Sequence, residues 1–234
     1  MSIKLLKIDL HTHTSDDPEE PVRYSSCQLI DKAHRLGYDA ISITNHNGIA
    51  FNEYLFAYAR ERGIILIPGT EINIFKKHVL VVNANNEILS ARTFDDIRRL
   101  KNPSLLVVAP HPFFPGTSSL LGQVRKHIDI FDAIEYSWFY HNRINFNRFA
   151  IRLAENYNKP LIGTSDCHHL EKFGCAYSLV ESEKDPEAIL DAVKKGRIRI
   201  SAAPLEMVEF ARHGAEHIVD VTFKRLLRMW NGKA

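Results

Sequence analysis

The chain has 234 residues, 45% of them hydrophobic and 25% charged, which suits one large domain with a substantial core and excludes disordered and fibrous classes. A formal net charge of +2 is too balanced to imply nucleic-acid or membrane binding by itself. Three cysteines (Cys27, Cys167 and Cys175) with no Cys-x-x-Cys pair, no signal-peptide pattern and no apolar run near the roughly 20 residues of a membrane span lead us to expect a soluble, cytoplasmic protein with no membrane partner.

Residues 5–10 read as a first buried strand that runs into His11-Thr12-His13. The two-residue period of a strand puts both imidazoles on one face, a good start for a divalent metal site. The polar stretch 14–24 reads as a loop over that strand end. Ser25 or Ser26 caps a helix whose Leu29, Ile30, Ala33 and Leu36 fall on one face and which stops at Gly37, with His34 on its surface. Residues 40–44 form a second strand presenting His46 within Asn45-His46-Asn47-Gly48. A helix over about 51–62 stops at Gly63, and residues 64–67 make a third strand leading to Pro68-Gly69-Thr70-Glu71. Glu71 thus falls just past an apolar run, an odd place for a solvated carboxylate.

Residues 73–77 read as a polar turn and 78–82 as an antiparallel return strand, which brings His78 back beside Glu71. Thr93 caps a short helix, and residues 105–109 are a buried strand ending in Pro110-His111-Pro112, whose prolines stiffen the backbone at His111. A helix near 120–126, a strand over 133–136 bearing Glu135, and helical spacing over 142–157 follow. The strand 161–164 delivers Ser165-Asp166-Cys167-His168-His169, in which Asp166 and His168 repeat the two-residue spacing. Residues 177–180 form a strand, 185–195 a helix, and 197–202 close the sheet. The stretch 205–229 reads as an amphipathic helix or helix pair broken near Gly214, with His213 and His217 on its surface.

Strands alternating with helices argue for a mostly parallel sheet, which a chain of this length closes into a barrel with its active site at the C-terminal strand ends. His11, His13, His46, Glu71, His111, Asp166 and His168 all fall at such ends, and His78 returns to the same rim.

The runs Asp9-Leu10-His11-Thr12-His13-Thr14, Ile43-Thr44-Asn45-His46-Asn47, Gly69-Thr70-Glu71 followed by His78, His111-Pro112, and Ser165-Asp166-Cys167-His168 resemble, in order and over roughly residues 5–200, the polymerase and histidinol phosphatase (PHP) domain. The resemblance implies an α/β fold, a distorted TIM-like (β/α)7 barrel in a single domain over 1–234, with 205–234 as a C-terminal helical extension. It also implies two or three divalent metal ions and hydrolysis of phosphate esters. Carried over position by position, one ion takes His11, His13, Glu71 and Asp166. Glu71 bridges to a second held by His78 and His111, and a third uses His46, His168 and an acid from the first loop. That loop is two residues shorter here than in similar proteins; Asp16 is the choice, with Asp17 and Glu19 as alternatives. Asn45 and Asn47 stand where aspartates are common. Cys167 stands where a small residue is usual and faces away from the ligands, and Asp9 reads as a hydrogen-bond partner of a ligand.

Bound ions neutralise ester oxygens and lower the pKa of water from 15.7 to about 7, and a pair about 3.5–4 Å apart stabilises both attacking and leaving oxygens. The expectation is a metal-dependent phosphoesterase in which a metal-bridged hydroxide attacks a phosphate mono- or diester. The substrate would be a phosphorylated small molecule, a nucleotide or a short oligonucleotide. Glu71 and Asp166 serve catalysis, and Arg143 clamps the phosphate. Mixed histidine and carboxylate ligands suit zinc, manganese or iron. The alternatives are a metal-dependent amide or lactone hydrolase and a non-catalytic PHP binding module. The nearly complete ligand set counts against the module. Oligomeric state is left open.

Overall fold

The computed structural model describes residues 4–215. Among these, residues 4–138 together with 146–203 form one unit, and 139–145 group with 204–215 in a second.

The first unit holds a single sheet of β1 (Lys4–Thr12), β2 (Ala40–Ile43), β3 (Ile65–Ile74), β4 (Lys77–Val82), β5 (Leu106–Ala109), β6 (Ala133–Ser137), β7 (Leu161–Thr164), β8 (Ala176–Ser182) and β9 (Ile198–Ala202). Their order, β7-β6-β5-β4-β3-β2-β1-β8-β9, keeps the first seven strands in chain sequence, as a barrel requires. Pairing is parallel through β1, β2 and β3 and again through β5, β6 and β7. It is antiparallel at β3–β4–β5 and β1–β8–β9, so the sheet is less parallel than the alternating pattern suggests. The reason lies at Phe75-Lys76, a two-residue turn that permits only an antiparallel return, with both residues at positive φ (51° and 65°). The turn is therefore tighter than the 73–77 stretch read as polar. Strand β3 continues through Pro68 and Gly69, so Glu71 sits inside the strand rather than past its end.

Strands β1 and β7 meet directly at their C-terminal ends, where the His13 N–H donates to the Cys167 carbonyl (3.1 Å). Lower down, β8 and β9 fill the gap. The buried Ser178 hydroxyl accepts from the Gly163 N–H (2.9 Å) and donates to its carbonyl (2.8 Å), and a Cβ at Gly163 would collide with Ile200. The result is a nearly closed barrel.

One apolar cluster draws Leu6, Ile8, Ala40, Ile67, Leu80, Val108, Ala133 and Ile162 from successive strands, which makes it the barrel interior. Helix α6 (Pro186–Lys194) adds Ile189, Leu190 and Val193 to it and seals the end opposite the histidines. Strand β1 changes its inward face partway along. Asp9 pairs with Ile41 but Thr12 with Ile43, so one extra residue is inserted. Because side chains alternate, the bulge lets Leu6 and Ile8 face inward below it and His11 and His13 face inward above it.

The helices begin where local chemistry says they should. Ser25 and Gln28 form a capping box for α1 (Ser26–Arg35), and Asn52 caps α2 (Glu53–Glu61). Thr93 and Asp96 box α3 (Phe94–Leu100), and α4 (Gly122–Lys126) is short. Helix α5 (Asn147–Tyr157) starts later than the spacing over 142–157 predicts, because 139–145 belong to the other unit. In that unit the Leu205 N–H donates to the Tyr140 carbonyl (2.8 Å) and Phe139 stacks on Phe210. Residues 207–215 are helical straight through Gly214; the rest of the expected 205–229 helix, including His217, lies outside the described residues. Among the described residues no helix is long and apolar enough to cross a membrane.

Candidate metal centre

Glu71 is the hub. Its side chain, 1% exposed, meets five imidazoles and divides them between its two oxygens. Oε2 lies 3.3 Å from His11 Nε2, 3.4 Å from His13 Nε2 and 3.2 Å from His46 Nε2. Oε1 lies 2.8 Å from His78 Nδ1 and 3.2 Å from His111 Nε2. The β3–β4 register explains His78: it pairs with Asn73 and so sits diagonally beside Glu71 on the inward face. Space beneath Glu71 depends on Gly69, where a Cβ would collide with Ser42 Oγ and Thr44 Cγ2.

Asp166 closes the opposite side, its Oδ1 lying 3.4 Å from His11 Nε2, 3.5 Å from His13 Nε2 and 3.5 Å from His168 Nδ1. Asp166 and His111 both hold positive φ (45° and 27°). Such backbone is strained for a histidine, and strain of this kind persists where the surroundings enforce it. Donor atoms within 4.8 Å of one another form the sets His11-His13-Glu71, His11-His111-Asp166, His13-Asp166-His168, His46-Glu71-His78 and His13-Asp17-His46.

The ring nitrogens away from the hub are anchored. His11 Nδ1–H donates to Glu135 Oε1 (2.8 Å), while His13 and His46 donate from Nδ1 to the same oxygen of Asp17 (2.9 and 2.8 Å). His168 Nδ1–H donates to the Asp166 carbonyl (3.1 Å). A donor at Nδ1 fixes the tautomer whose Nε2 lone pair points into the cluster, the arrangement that orients a metal ligand. Buried atoms without a hydrogen-bond partner include His11 Nε2, His13 Nε2, His111 Nδ1 and Asp166 Oδ1, and also His78 Nδ1 despite its close approach to Glu71. Orphaned acceptors facing one another in a buried cluster fit divalent cations.

The charge balance says the same. Burial raises the pKa of Glu71 and Asp166, but the surrounding imidazoles outweigh it and hold both carboxyls well below their ordinary range. Burial lowers an imidazole, yet the carboxylates win at His11 and His111, which are raised, at His13, pushed up to about 9, and at His46, pushed up to about 11. His78 and His168 go the other way through burial, His168 to about 4 with help from the neighbouring His13. The carboxylates thus favour positive charge among the imidazoles, an environment that also favours bound cations.

The first loop resolves differently from the sequence preference. Asp16 is exposed and accepts a hydrogen bond from Ser26 Oγ (2.8 Å). Asp17 turns inward: beyond the two imidazoles, its Oδ2 accepts the His46 N–H (2.9 Å), and its Oδ1 accepts the N–H groups of Glu19 and Glu20 (2.8 and 3.0 Å). Glu19 accepts from the side-chain amides of Asn47 and Asn73, and Glu20 reaches within 3.8 Å of His168 Nε2. The amides common as aspartates elsewhere have structural partners, Asn45 latching the loop through Thr14 (2.9 and 3.1 Å). His46 and His168 are not in one donor set. Their ring centroids are 6.3 Å apart with His13 stacked against both, at 4.7 and 4.2 Å, so the three-residue set implied for a third ion does not converge. Cys167 is buried in the outer cluster facing away from the centre, and Asp9 Oδ1 accepts the backbone N–H groups of His11 and Ser165 (3.3 and 3.2 Å). Burial pushes the Asp9 carboxyl up to about 7. Arg143 lies in the second unit, where its N–H donates to His141 Nδ1 (3.1 Å). The sequence places Glu135 on its strand without a role; the signal for one is a lone acid inside the otherwise uncharged strand 133–137.

Comparison with known proteins agrees with this architecture. A family model described as PHP-associated matches residues 145–198. An uncharacterized protein of Methanocaldococcus jannaschii is 26% identical over 160 residues, 62% of this chain and 90% of that protein. A two-domain protein from Bacteroides vulgatus, described as containing a predicted PHP-like metal-dependent phosphoesterase, superposes with a TM-score of 0.66 at 20% identity, covering 93% of this chain and 73% of that one. A lesion-specific endonuclease from Pyrococcus furiosus superposes with a TM-score of 0.59 at 16% identity, covering 84% of this chain and 57% of that one. The nearly closed α/β barrel is thus the fold of these PHP-like neighbours. The chain shares its fold with PHP-like proteins, and its residues 145–198 match the PHP-associated family model.

Proposed function

We propose that this protein is a metal-dependent phosphoesterase that hydrolyses a phosphate mono- or diester of a small molecule, nucleotide or short oligonucleotide. The observation that carries the reading is Glu71, a buried carboxylate whose two oxygens face two separate groups of imidazoles. One ion would be held by His11, His13, Glu71 and Asp166, and a second by Glu71, His78 and His111, with His46 close enough to join either side of the hub. A third would rest on His168 and Asp166. Zinc, manganese or iron suits such donors. When bound, these ions supply a nucleophile at neutral pH and neutralise the ester oxygens. The chain's own part is to hold the imidazoles as neutral Nε2 donors through Asp17 and Glu135, and to keep Glu71 and Asp166 ionised. The buried walls exclude bulk water, which strengthens each charge interaction.

The nuclease activity named for the Pyrococcus furiosus relative supports including nucleic acid among the candidate substrates. The test is hydrolysis of a chromogenic phosphate monoester, the matching diester and a short oligonucleotide. Each is assayed with chelated enzyme and with enzyme reloaded with zinc, manganese or iron. Turnover that appears only on reloading, and vanishes in Glu71→Gln, is expected. Folded, metal-loaded protein that cleaves none of the three but opens an amide or lactone would replace the phosphoesterase with a carbonyl hydrolase.

A further inference from the structure

Two buried acids, Asp9 and Glu135, belong to none of the donor sets, and of the two only Glu135 accepts a hydrogen bond from the ring of a candidate ligand. Glu135 stands on the inward face of β6, 1% exposed, and no group of ion-binding reach among the described residues includes it. Its Oε1 accepts from His11 Nδ1–H (2.8 Å) and from the Thr164 hydroxyl, and its Oε2 accepts the backbone N–H of His111. From one strand it therefore grips β1, the end of β5 and the end of β7, two residues before Asp166. Burying a carboxylate costs several kcal/mol unless donors compensate. Here each donor belongs to, or immediately supports, a residue of the cluster.

We infer that Glu135 is the positioning residue that couples the two ion-binding groups, an assignment that rests on reading the cluster as a metal centre. It fixes His11 in the Nε2-ligating tautomer for the group around Asp166. The same carboxylate ties down the amide of His111, whose φ of 27° needs such a restraint, for the group around His78. Glutamine cannot do both. With its carbonyl oxygen toward His11, its NH2 opposes the His111 N–H. Turned round, its NH2 opposes His11 Nδ1 and drives the proton to Nε2, where the ring can no longer ligate.

The experiment measures zinc affinity of metal-free wild type and Glu135→Gln by competition with a chromogenic chelator, alongside the absorption spectrum of the cobalt-loaded proteins and thermal melting of the metal-free forms. A folded variant whose zinc affinity falls roughly 10–100-fold, with an altered cobalt spectrum, is expected. Affinity within about threefold of wild type and an unchanged spectrum would overturn the assignment. So would a variant that merely melts earlier while its folded fraction binds zinc as wild type does. Should Glu135→Gln fail to fold, Glu135→Asp keeps the charge but is one methylene too short to span His11 and His111. It should show the same affinity loss, and wild-type affinity there would refute the coupling. Wild-type protein that binds no ion would remove the metal-centre reading itself, a separate outcome from an insensitive variant.

Discussion

Asp17→Asn, set against Asp16→Asn, tests the loop geometry most directly. Asp17 Oδ2 accepts three hydrogen bonds, from His13 Nδ1, His46 Nδ1 and the His46 N–H, at 2.8–2.9 Å. Asparagine can keep its carbonyl oxygen on the N–H groups of Glu19 and Glu20, so the loop path survives, but its NH2 then faces three donors. Hydrogen bonds to a charged group contribute about 1.5–3 kcal/mol each, which sets a ceiling well above what will be observed, because each imidazole can shift its proton to Nε2. That shift is the functional damage, since Nε2 is the ligating atom. Loss of an outer carboxylate partner typically costs roughly 10–100-fold in metal affinity or activity. At about 1.36 kcal/mol per decade this is about 1.4–2.7 kcal/mol. Asp16 is exposed with one hydrogen bond to Ser26, so Asp16→Asn should stay within about threefold of wild type. The assay is zinc affinity by chelator competition, followed by kcat/KM on the preferred ester. A loss of tenfold or more in Asp16→Asn with Asp17→Asn near wild type would refute the reasoning and restore Asp16 as the loop residue.

Glu71→Gln removes the shared charge while keeping the shape, and should weaken ion binding by at least about 100-fold, read as loss of bound metal after dialysis; retention of both ions would sink the bridging role. Metal-free protein should be most stable between the ordinary carboxylate range and about pH 6.5, and should lose stability as the pH rises above that. His13 and His46 have folded pKa values of about 9 and about 11, above the ordinary 6.5, so their contribution is complete below 6.5 and is lost as pH rises through those values. Glu71, Asp17 and Asp166, lowered by their imidazoles and hydrogen bonds, contribute above the ordinary carboxylate range and lose that contribution on acidification. Melting temperatures of chelated protein that climb steadily from pH 7 to 10 would contradict this assignment. Loading zinc near pH 7.5 should release protons, measured as a dependence of the calorimetric heat on buffer ionisation; identical heats in all buffers would count against it. At the barrel seam, Ser178→Ala strands both backbone groups of Gly163 in the interior and should cost about 2–4 kcal/mol in denaturant unfolding, with ion affinity unchanged.

Much of this protein is written locally. Apolar runs ending in His11, His46, His111 and Asp166 announce strands that present ligands at one rim, because a strand's period and its burial are both short-range properties. The capping residues Ser25, Asn52, Thr93 and Asp185 mark helix starts for the same reason. What only the tertiary structure decided concerns neighbours whose local signals are equivalent. Asp16 and Asp17 are adjacent acids in one loop, and the choice between them depends on the path that the Asn45–Thr14 latch and the Glu19 contacts impose. Glu135 has a distinctive composition but no spacing motif, so its partners on β1, β5 and β7 emerge only when the barrel nearly closes. The bulge in β1 that brings His11 and His13 inward is invisible in the sequence, because alternation alone cannot show where its phase shifts. The separation of His46 from His168 by the stacked ring of His13 likewise follows from the curvature of the sheet: residues share an ion only where the barrel brings their donor atoms together, whatever order the chain presents them in.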